Sequence, residues 1–189
     1  MNHSKILKFH DSFINSDGIY LISEYCEDGN LKQYIEKNKR NISKENILQI
    51  MMQIRQGLNY LDHLYIIHCD LKPANIYFKK QNDINSLVIG DFGLSQQNEI
   101  NGYQNRIMGS VGYIAPEILS KEHFYSESCD IYSYGIIFYQ LLVNQIEYKD
   151  LIDKNYRVFD QQGNFQFDQS ITHPTGQIFM SQKCIPILK

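Results

Sequence analysis

A polar cluster at residues 68–75 holds many of the residue types that could move a proton or bind a metal ion. It reads His68-Cys69-Asp70-Leu71-Lys72-Pro73-Ala74-Asn75, and apolar residues flank it on both sides. Three more groups follow in order: Asp91-Phe92-Gly93, which starts sixteen residues after Asn75, then Ala115-Pro116-Glu117, then Asp130. A carboxylate can act as a general acid or base, and carboxylate and amide oxygens are ligands that suit Mg²⁺.

Short apolar runs separated by turn residues predict two β-hairpins around these groups. Residues 6–14 and 19–24 form the arms of the first, with the turn signal Asn15-Ser16-Asp17-Gly18 between them. The arms of the second are residues 76–78 and 87–89, joined by a polar turn. Each arm of this second hairpin leads out of a cluster of charged or polar residues.

Apolar residues at three- and four-residue steps predict two amphipathic helices. The first has Ser43 as its N-cap and extends for about five turns, with its apolar stripe between Ile47 and Leu61. The second is predicted from about Asp130 to Leu142. Residues 94–110 are mostly polar and are predicted to form a long loop, a feature that is usually functional or disordered. Beyond Lys154 the sequence becomes rich in Gln and loses clear periodicity.

These motifs, on a pattern of helix, loop, hairpin, loop and helix, resemble the large lobe of a protein kinase. The family's signatures include a His-Arg-Asp-Leu-x-x-x-Asn catalytic loop, an Asp-Phe-Gly and an Ala-Pro-Glu. The segment Glu24-Tyr25-Cys26-Glu27-Asp28-Gly29-Asn30-Leu31 resembles the hinge. The resemblance implies an α+β, protein-kinase-like fold in which residues 1–26 are an incomplete, β-rich small lobe with the hinge. Residues 27–154 would be the mainly helical large lobe, and residues 155–189 a divergent tail.

The resemblance also assigns roles in phosphoryl transfer. In this reaction the protein mainly positions the reacting groups and neutralises their charge. Asp70 would be the catalytic base that accepts or orients the substrate hydroxyl proton. Lys72 would offset charge on the transferring phosphoryl group. Asn75 and Asp91 would hold Mg²⁺, since hard oxygen ligands suit that ion.

Further residues would bind the nucleotide or support the catalytic loop. By the same resemblance, the carbonyl of Glu24 and the N–H of Cys26 would bind the edge of adenine, and Tyr77 would lie near the floor of that site. The two predicted metal ligands complete the nucleotide site. His68 would hydrogen-bond to orient the loop, and Asp130 would brace the loop's backbone.

The type of kinase follows from Lys72, two residues after Asp70, and from Gly109-Ser110 ahead of Ala115-Pro116-Glu117. This pattern resembles serine/threonine kinases more than tyrosine kinases. The implied function is transfer of the γ-phosphate of ATP to Ser or Thr hydroxyls of a protein substrate, with ATP and Mg²⁺ as cofactors.

Two features depart from the family. Position 69 is Cys where the motif has Arg, which normally receives a phosphate on the activation segment, residues 91–117. A thiol cannot form that charge-assisted pair, so we expect any activity not to depend on phosphorylation of this segment. Second, no G-x-G-x-x-G loop and no strand lysine for clamping the ATP phosphates can be placed in the sequence. Both departures raise the question of whether the chain is an active kinase.

The chain is therefore interpreted as an N-terminally truncated serine/threonine kinase domain. The alternative is a pseudokinase that acts as a binding module through its large lobe, and a structural protein without a nucleotide link is a third class. The intact Asp70, Lys72, Asn75 and Asp91 favour the kinase, because a module that only binds partners has no physical need for both metal ligands.

Composition argues against other classes of partner. The chain has 18 Lys+Arg, 21 Asp+Glu and a net charge of -3, and lacks the basic stripe typical of nucleic-acid binders. Its longest apolar run, residues 131–143, is shorter than the about 20 residues that a membrane helix requires. The N-terminus lacks the apolar core that a signal peptide requires. The four cysteines of the chain form no Cys-x-x-Cys pair. We therefore expect no nucleic-acid or membrane partner, and a cytoplasmic or nuclear location.

Overall fold

The structure, a computed structural model, describes residues 1–38, 41–97, 107–119 and 126–143. The elements in chain order are β1 (Phe9–Asn15), β2 (Gly18–Ser23), α1 (Leu31–Asn38), α2 (Lys44–His63), β3 (Ile66–Ile67), β4 (Ile76–Phe78), β5 (Leu87–Ile89), β6 (Gln96–Gln97) and α3 (Glu127–Val143), with a 3-10 turn at Pro73–Asn75. Within these ranges, no helix is long and apolar enough to span a membrane. The predicted tail, residues 155–189, lies outside the described residues.

Helix α2 is the centre of the hydrophobic core. Ser43 is extended, and its side-chain oxygen accepts a hydrogen bond from the Asn46 N–H at 3.2 Å, which confirms the predicted N-cap. The apolar stripe of α2 is buried against β5 and α3. The Tyr134 hydroxyl of α3 donates to the Met51 carbonyl at 3.1 Å, so the contact between the two helices also satisfies a buried polar group.

Both predicted hairpins are present as antiparallel pairs. In the first, Phe13 lies opposite Tyr20 with their rings stacked at 4.8 Å, yet nearly every residue of β1 and β2 is exposed. In the second, Ile76 lies opposite Ile89, and only Tyr77 is not fully buried. The second hairpin therefore belongs to the core of the molecule, whereas the first does not.

Helix α1 has no counterpart in the sequence prediction. Asn30 Oδ1 accepts a hydrogen bond from the Gln33 N–H at 3.0 Å, and Gln33 Oε1 accepts one from the Asn30 N–H at 2.9 Å. This reciprocal capping starts the helix. The Asn-x-x-Gln spacing is the signal that could have found it.

The structure differs from the prediction at two further places. Helix α3 begins at Glu127, so Asp130 lies a turn inside it rather than at its start. The first turn of α3 is polar and therefore shows no apolar periodicity. Within the predicted long loop, β6 pairs with β3, with Gln96 opposite Ile67. A strand of two glutamines carries no hydrophobic pattern that sequence reasoning can detect.

The segment before β1 is tied to the large lobe. The Leu7 N–H donates to the Ile89 carbonyl at 2.8 Å, and the Ile89 N–H donates to the Lys5 carbonyl at 2.9 Å. The Lys5 ammonium donates to Gln53 Oε1 and to the Asn85 carbonyl, both at 2.7 Å. These bonds fix the chain directly before the first hairpin.

A glycine in α2 permits this close approach. A Cβ at Gly57 would lie 2.7 Å from Ile89 Cδ1 and 3.1 Å from the Lys5 carbonyl oxygen. We expect Gly57→Ala to lower the free energy of unfolding by about 1 kcal/mol or more, because overpacking outweighs the better helix propensity of Ala. Urea denaturation measures the change.

Gly135 of α3 is the matched control, since a Cβ there would meet no atom within 4 Å. Gly135→Ala should raise stability by about 0.5–1 kcal/mol. Equal stabilisation by both substitutions would contradict the tight packing at Gly57.

Candidate active site

The loop from His68 to Lys72 rests on a buried carboxylate. Asp130 is 5% exposed; its Oδ2 accepts the His68 N–H at 2.7 Å, and its Oδ1 accepts the Cys69 N–H at 3.1 Å. Burial raises the pKa of Asp130, while His68 and the two N–H bonds act in the opposite direction. The geometry matches the bracing role expected for this residue.

His68 connects the loop to the strand end before Asp91. The ring is fully buried, with Nε2 3.0 Å from the Gly90 carbonyl, and Nδ1 accepts the Asp70 N–H at 3.3 Å. Both contacts are satisfied by a neutral imidazole that carries its proton on Nε2. His68 therefore orients the loop through hydrogen bonds, as the sequence predicts.

The carboxylate of Asp70 has one occupied oxygen and one unoccupied oxygen. Oδ2 accepts from Lys72 Nζ at 2.6 Å and from Asn75 Nδ2 at 3.1 Å. Oδ1 is buried and has no hydrogen-bond partner in the described part of the chain. Burial by itself would raise the pKa of Asp70, but Lys72, Ser110 and Asn75 outweigh it, and the pKa is lowered. Asp70 is therefore ionised at neutral pH, with a lone acceptor oxygen.

Lys72 links the loop to the activation segment. Its ammonium donates to Ser110 Oγ at 2.7 Å in addition to Asp70. Gly109 has a φ of 111°, and a Cβ there would lie 2.7 Å from the Cys69 carbonyl oxygen. Only glycine allows this segment to lie so close to the loop. Sequence reasoning did not predict the Ser110 contact, because the two partners are 38 residues apart.

The two predicted metal ligands lie on connected segments. Asn75 is 3% exposed and donates through Nδ2 to the Asp70 carbonyl at 2.9 Å, so its amide oxygen is the side-chain atom that could serve as a metal ligand. The Gly90 N–H donates to the Asn75 carbonyl at 2.9 Å, and the exposed Asp91 follows with a left-handed φ of 61°. An amide oxygen and a carboxylate, completed by water and phosphate oxygens, fit Mg²⁺.

The predicted adenine site lies at the hinge. Tyr77 pairs with Asn30, and burial, with contributions from Asp91 and Cys26, raises its pKa. Tyr77 therefore lies near both the hinge and Asp91. Within the described residues, neither the Glu24 carbonyl nor the Cys26 N–H takes part in a hydrogen bond, so both remain able to bind a ligand.

The Cys69 side chain is buried among mainly apolar residues. It is 8% exposed and packs in a second cluster with Ile67, Ala115, Ile118 and Cys129. Burial raises the pKa of its thiol to about 12, and Gln96 Nε2 lies 3.6 Å from its sulfur. The described part of the activation segment is instead tied to the loop by the β3–β6 pair and by the bond between Lys72 and Ser110.

Comparison with known proteins assigns this arrangement to a family. The sequence profile of the protein kinase domain matches residues 1–189. The chain belongs to the protein kinase domain family. This confirms the predicted family and the kinase-like α+β fold.

Several similar proteins are named kinases. The chain is 38% identical over 146 residues to serine/threonine-protein kinase polo of Drosophila melanogaster, covering 77% of this chain and 24% of that protein. It is 34% identical over 152 residues to serine/threonine-protein kinase atg1 of Dictyostelium discoideum, covering 78% and 22%. CDPK-related kinase 5 of Arabidopsis thaliana is 34% identical over 140 residues, covering 74% and 23%. The chain thus spans less than a quarter of the length of these relatives.

The environments of the cysteines predict their reactivity. Burial raises the thiol pKa of both Cys69 and Cys129 to about 12. At pH 7.5, fewer than about one in ten thousand protein molecules therefore carries a thiolate at either position. Burial and the Glu24 carboxylate raise the pKa of the Cys26 thiol too, but this residue is only half-buried and therefore more accessible to a reagent. We expect N-ethylmaleimide to label Cys26 in the folded protein, and Cys69 and Cys129 only after denaturation. Timed labelling followed by peptide mass spectrometry measures the order. Labelling of Cys69 as fast as Cys26 would contradict the structure.

Proposed function

We propose that this chain carries the catalytic machinery of a serine/threonine protein kinase, which transfers the γ-phosphate of ATP to Ser or Thr hydroxyls of a protein substrate. The observation that carries the proposal is Asp70 Oδ1, a buried and ionised carboxylate oxygen without a partner in the described residues. A buried acceptor of this kind is costly unless a ligand occupies it. A substrate hydroxyl is a donor of suitable size, and the names of the relatives point to the same reaction.

In the proposed reaction each residue has a separate task. The substrate hydroxyl donates to Asp70 Oδ1, its oxygen forms a bond to the γ-phosphorus, and the bond between that phosphorus and the β–γ bridging oxygen breaks, leaving ADP. The hydroxyl proton passes to Asp70 as the new bond forms. Lys72, fixed between Asp70 and Ser110, offsets charge on the transferring group. Asn75 holds Asp70 in position through its amide.

Members of this family generally use ATP and Mg²⁺. We propose that Asn75 and Asp91 hold the Mg²⁺, which neutralises phosphate charge when bound. The adenine edge would bind the Glu24 carbonyl and the Cys26 N–H, with Tyr77 beneath it. The proposal includes no nucleic-acid or membrane partner and places the protein in the cytoplasm or nucleus. The net charge of -3 supports the absence of a nucleic-acid partner, and the spacing of the cysteines supports a reducing compartment such as the cytoplasm or nucleus.

Binding of Mg·ATP tests the nucleotide site. A ligand that binds only the folded state stabilises it by mass action, and we expect saturating Mg·ATP to raise the melting temperature by about 2–6 °C. Asp91→Asn should abolish most of this shift because it removes the ionised metal ligand. Differential scanning fluorimetry with and without Mg²⁺ measures it.

Asp62→Asn, an exposed change at the far end of α2, is the control and should keep the full shift. Equal shifts in wild type and Asp91→Asn would contradict the proposed metal site.

Phosphate transfer to a Ser/Thr-containing protein such as casein tests the reaction itself. Asp70→Asn should lower the rate by about 10²–10⁴-fold, the usual contribution of a positioned acid or base. Because Cys69 cannot bind a phosphate, phosphatase treatment of the wild-type protein should leave its rate unchanged. Incorporation of phosphate from [γ-³²P]ATP gives both results.

A rate that requires phosphate at Ser95 or Ser110 would contradict the second expectation. Nucleotide-dependent stabilisation without any phosphate transfer would favour the alternative, a pseudokinase that works as a binding module.

A further inference from the structure

The first hairpin is joined to the rest of the described structure by two connecting segments, which we call crossings: the residues directly before β1 and those directly after β2. Strands β1 and β2 pack mainly against each other, and nearly all their residues are exposed. The position of this hairpin relative to the large lobe therefore depends on the residues directly before β1 and directly after β2. The second crossing contains the hinge.

The first crossing is fixed by backbone bonds, together with the bonds of the Lys5 ammonium to Gln53 and Asn85. Lys5 and Leu7 exchange hydrogen bonds with Ile89 of β5, at 2.9 and 2.8 Å. A Cβ at Gly90 would lie 2.8 Å from Leu7 Cδ2, so this segment lies tightly against the strand end. It holds residues 5–7 on the large lobe, and the chain leaves that surface at Lys8.

The second crossing depends on a side chain. The Glu24 N–H donates to the Lys8 carbonyl at 2.9 Å, and Glu24 Oε1 accepts the Lys8 N–H at 2.8 Å. The other carboxylate oxygen, Oε2, lies 2.7 Å from the ammonium of Lys79, the residue that follows β4. One carboxylate thus joins the start of the hairpin, the hinge and the large lobe.

The main chain around Lys79 holds the hinge as well. The Glu27 N–H donates to the Lys79 carbonyl at 3.4 Å, and the Asp28 N–H donates to the Phe78 carbonyl at 3.3 Å. These two bonds are long, whereas the ion pair is short. A third backbone bond, from the Phe78 N–H to the Gly29 carbonyl, is 2.9 Å long and holds the Gly29 end of the hinge, whereas the ion pair holds its Glu24 end.

We propose that Glu24 and Lys79 form a clasp that sets the angle between the first hairpin and the large lobe and thereby positions the hinge backbone for the nucleotide base. Both are positioning residues, because neither side chain is expected to touch the base. The inference rests on the proposed function, since the hinge matters here as the adenine-binding backbone.

The surroundings favour a functional ion pair. The Glu24 side chain is 16% exposed and that of Lys79 is 35% exposed, so water and salt screen the pair less than they would on an open surface. Burial alone would raise the pKa of Glu24, yet the bonds to Lys79 and Lys8 lower it. The carboxylate is therefore ionised at neutral pH.

Hydrogen exchange in the nucleotide-free full chain tests the clasp directly. Lys79→Met keeps the aliphatic stem and removes the charge. We expect the amides of Glu24, Glu27 and Asp28 to exchange at least about fivefold faster in this variant, while the core amides of α2 stay unchanged, because only local opening is eased. Lys79→Arg keeps the ion pair and should restore slow exchange.

Nucleotide affinity gives the second readout. Lys79→Met should weaken the binding of a fluorescent ADP analogue by about three- to tenfold, the range expected when one partly buried ion pair is lost. Glu24→Gln, which still accepts the Lys8 N–H, should have a similar effect. The double variant should be no worse than either single variant.

Lys32→Met is the matched control, because it removes the exposed 3.8 Å pair between Lys32 and Glu36 on α1. It should change neither readout. Unchanged hinge exchange in Lys79→Met, or faster exchange throughout α2 as well, would overturn the clasp. If the wild type binds no nucleotide, the proposed function fails, and hinge exchange still decides whether the clasp exists.

Discussion

The catalytic loop depends on a buried carboxylate that faces two backbone N–H groups. Asp130 accepts both at once, and this lets Cys69 keep a left-handed φ of 65° that non-glycine residues rarely adopt. Without the carboxylate, two buried donors would lack partners, at a cost of about 1–3 kcal/mol each. The hydrogen bond between the His68 ring and the Gly90 carbonyl then fixes the loop relative to Gly90 and the adjacent Asp91. A residue that touches no substrate thus determines where the reacting groups lie.

The same arrangement explains why one oxygen of Asp70 stays open. Lys72 and Asn75 both bind Oδ2, and both are themselves fixed, Lys72 by Ser110 and Asn75 by the backbone around it. Their preference for one oxygen leaves Oδ1 buried and without a hydrogen-bond partner among the described residues, which disfavours folding but prepares an acceptor for a ligand. Real proteins tolerate such local costs mainly at functional sites.

Sequence reasoning found the parts of the fold that carry periodic or motif signals. Helix α2, with its Ser43 cap, and both hairpins were predicted, as were Lys72 and Asn75 beside Asp70, whereas the Ser110 contact was not. It missed α1, whose signal is a single capping pair, and β6, which has no hydrophobic pattern. Contacts such as the one between Glu24 and Lys79 join residues 55 positions apart. Nothing in local spacing encodes them, because they exist only after the core has packed.

The cysteine at position 69 shows how one substitution fits its surroundings. An arginine there would place a longer, charged side chain next to an apolar cluster that includes Ile67, Ala115 and Ile118, and taking a charge out of water has a desolvation cost. A neutral thiol packs in this cluster without that cost. The activation segment then needs other links to the loop, and they are present as the β3–β6 pair, Gly109 against the loop backbone, and Ser110 on Lys72. None of these links requires a phosphate. The apolar cluster therefore suits a thiol at position 69, and the described links between the loop and the activation segment form without a phosphate.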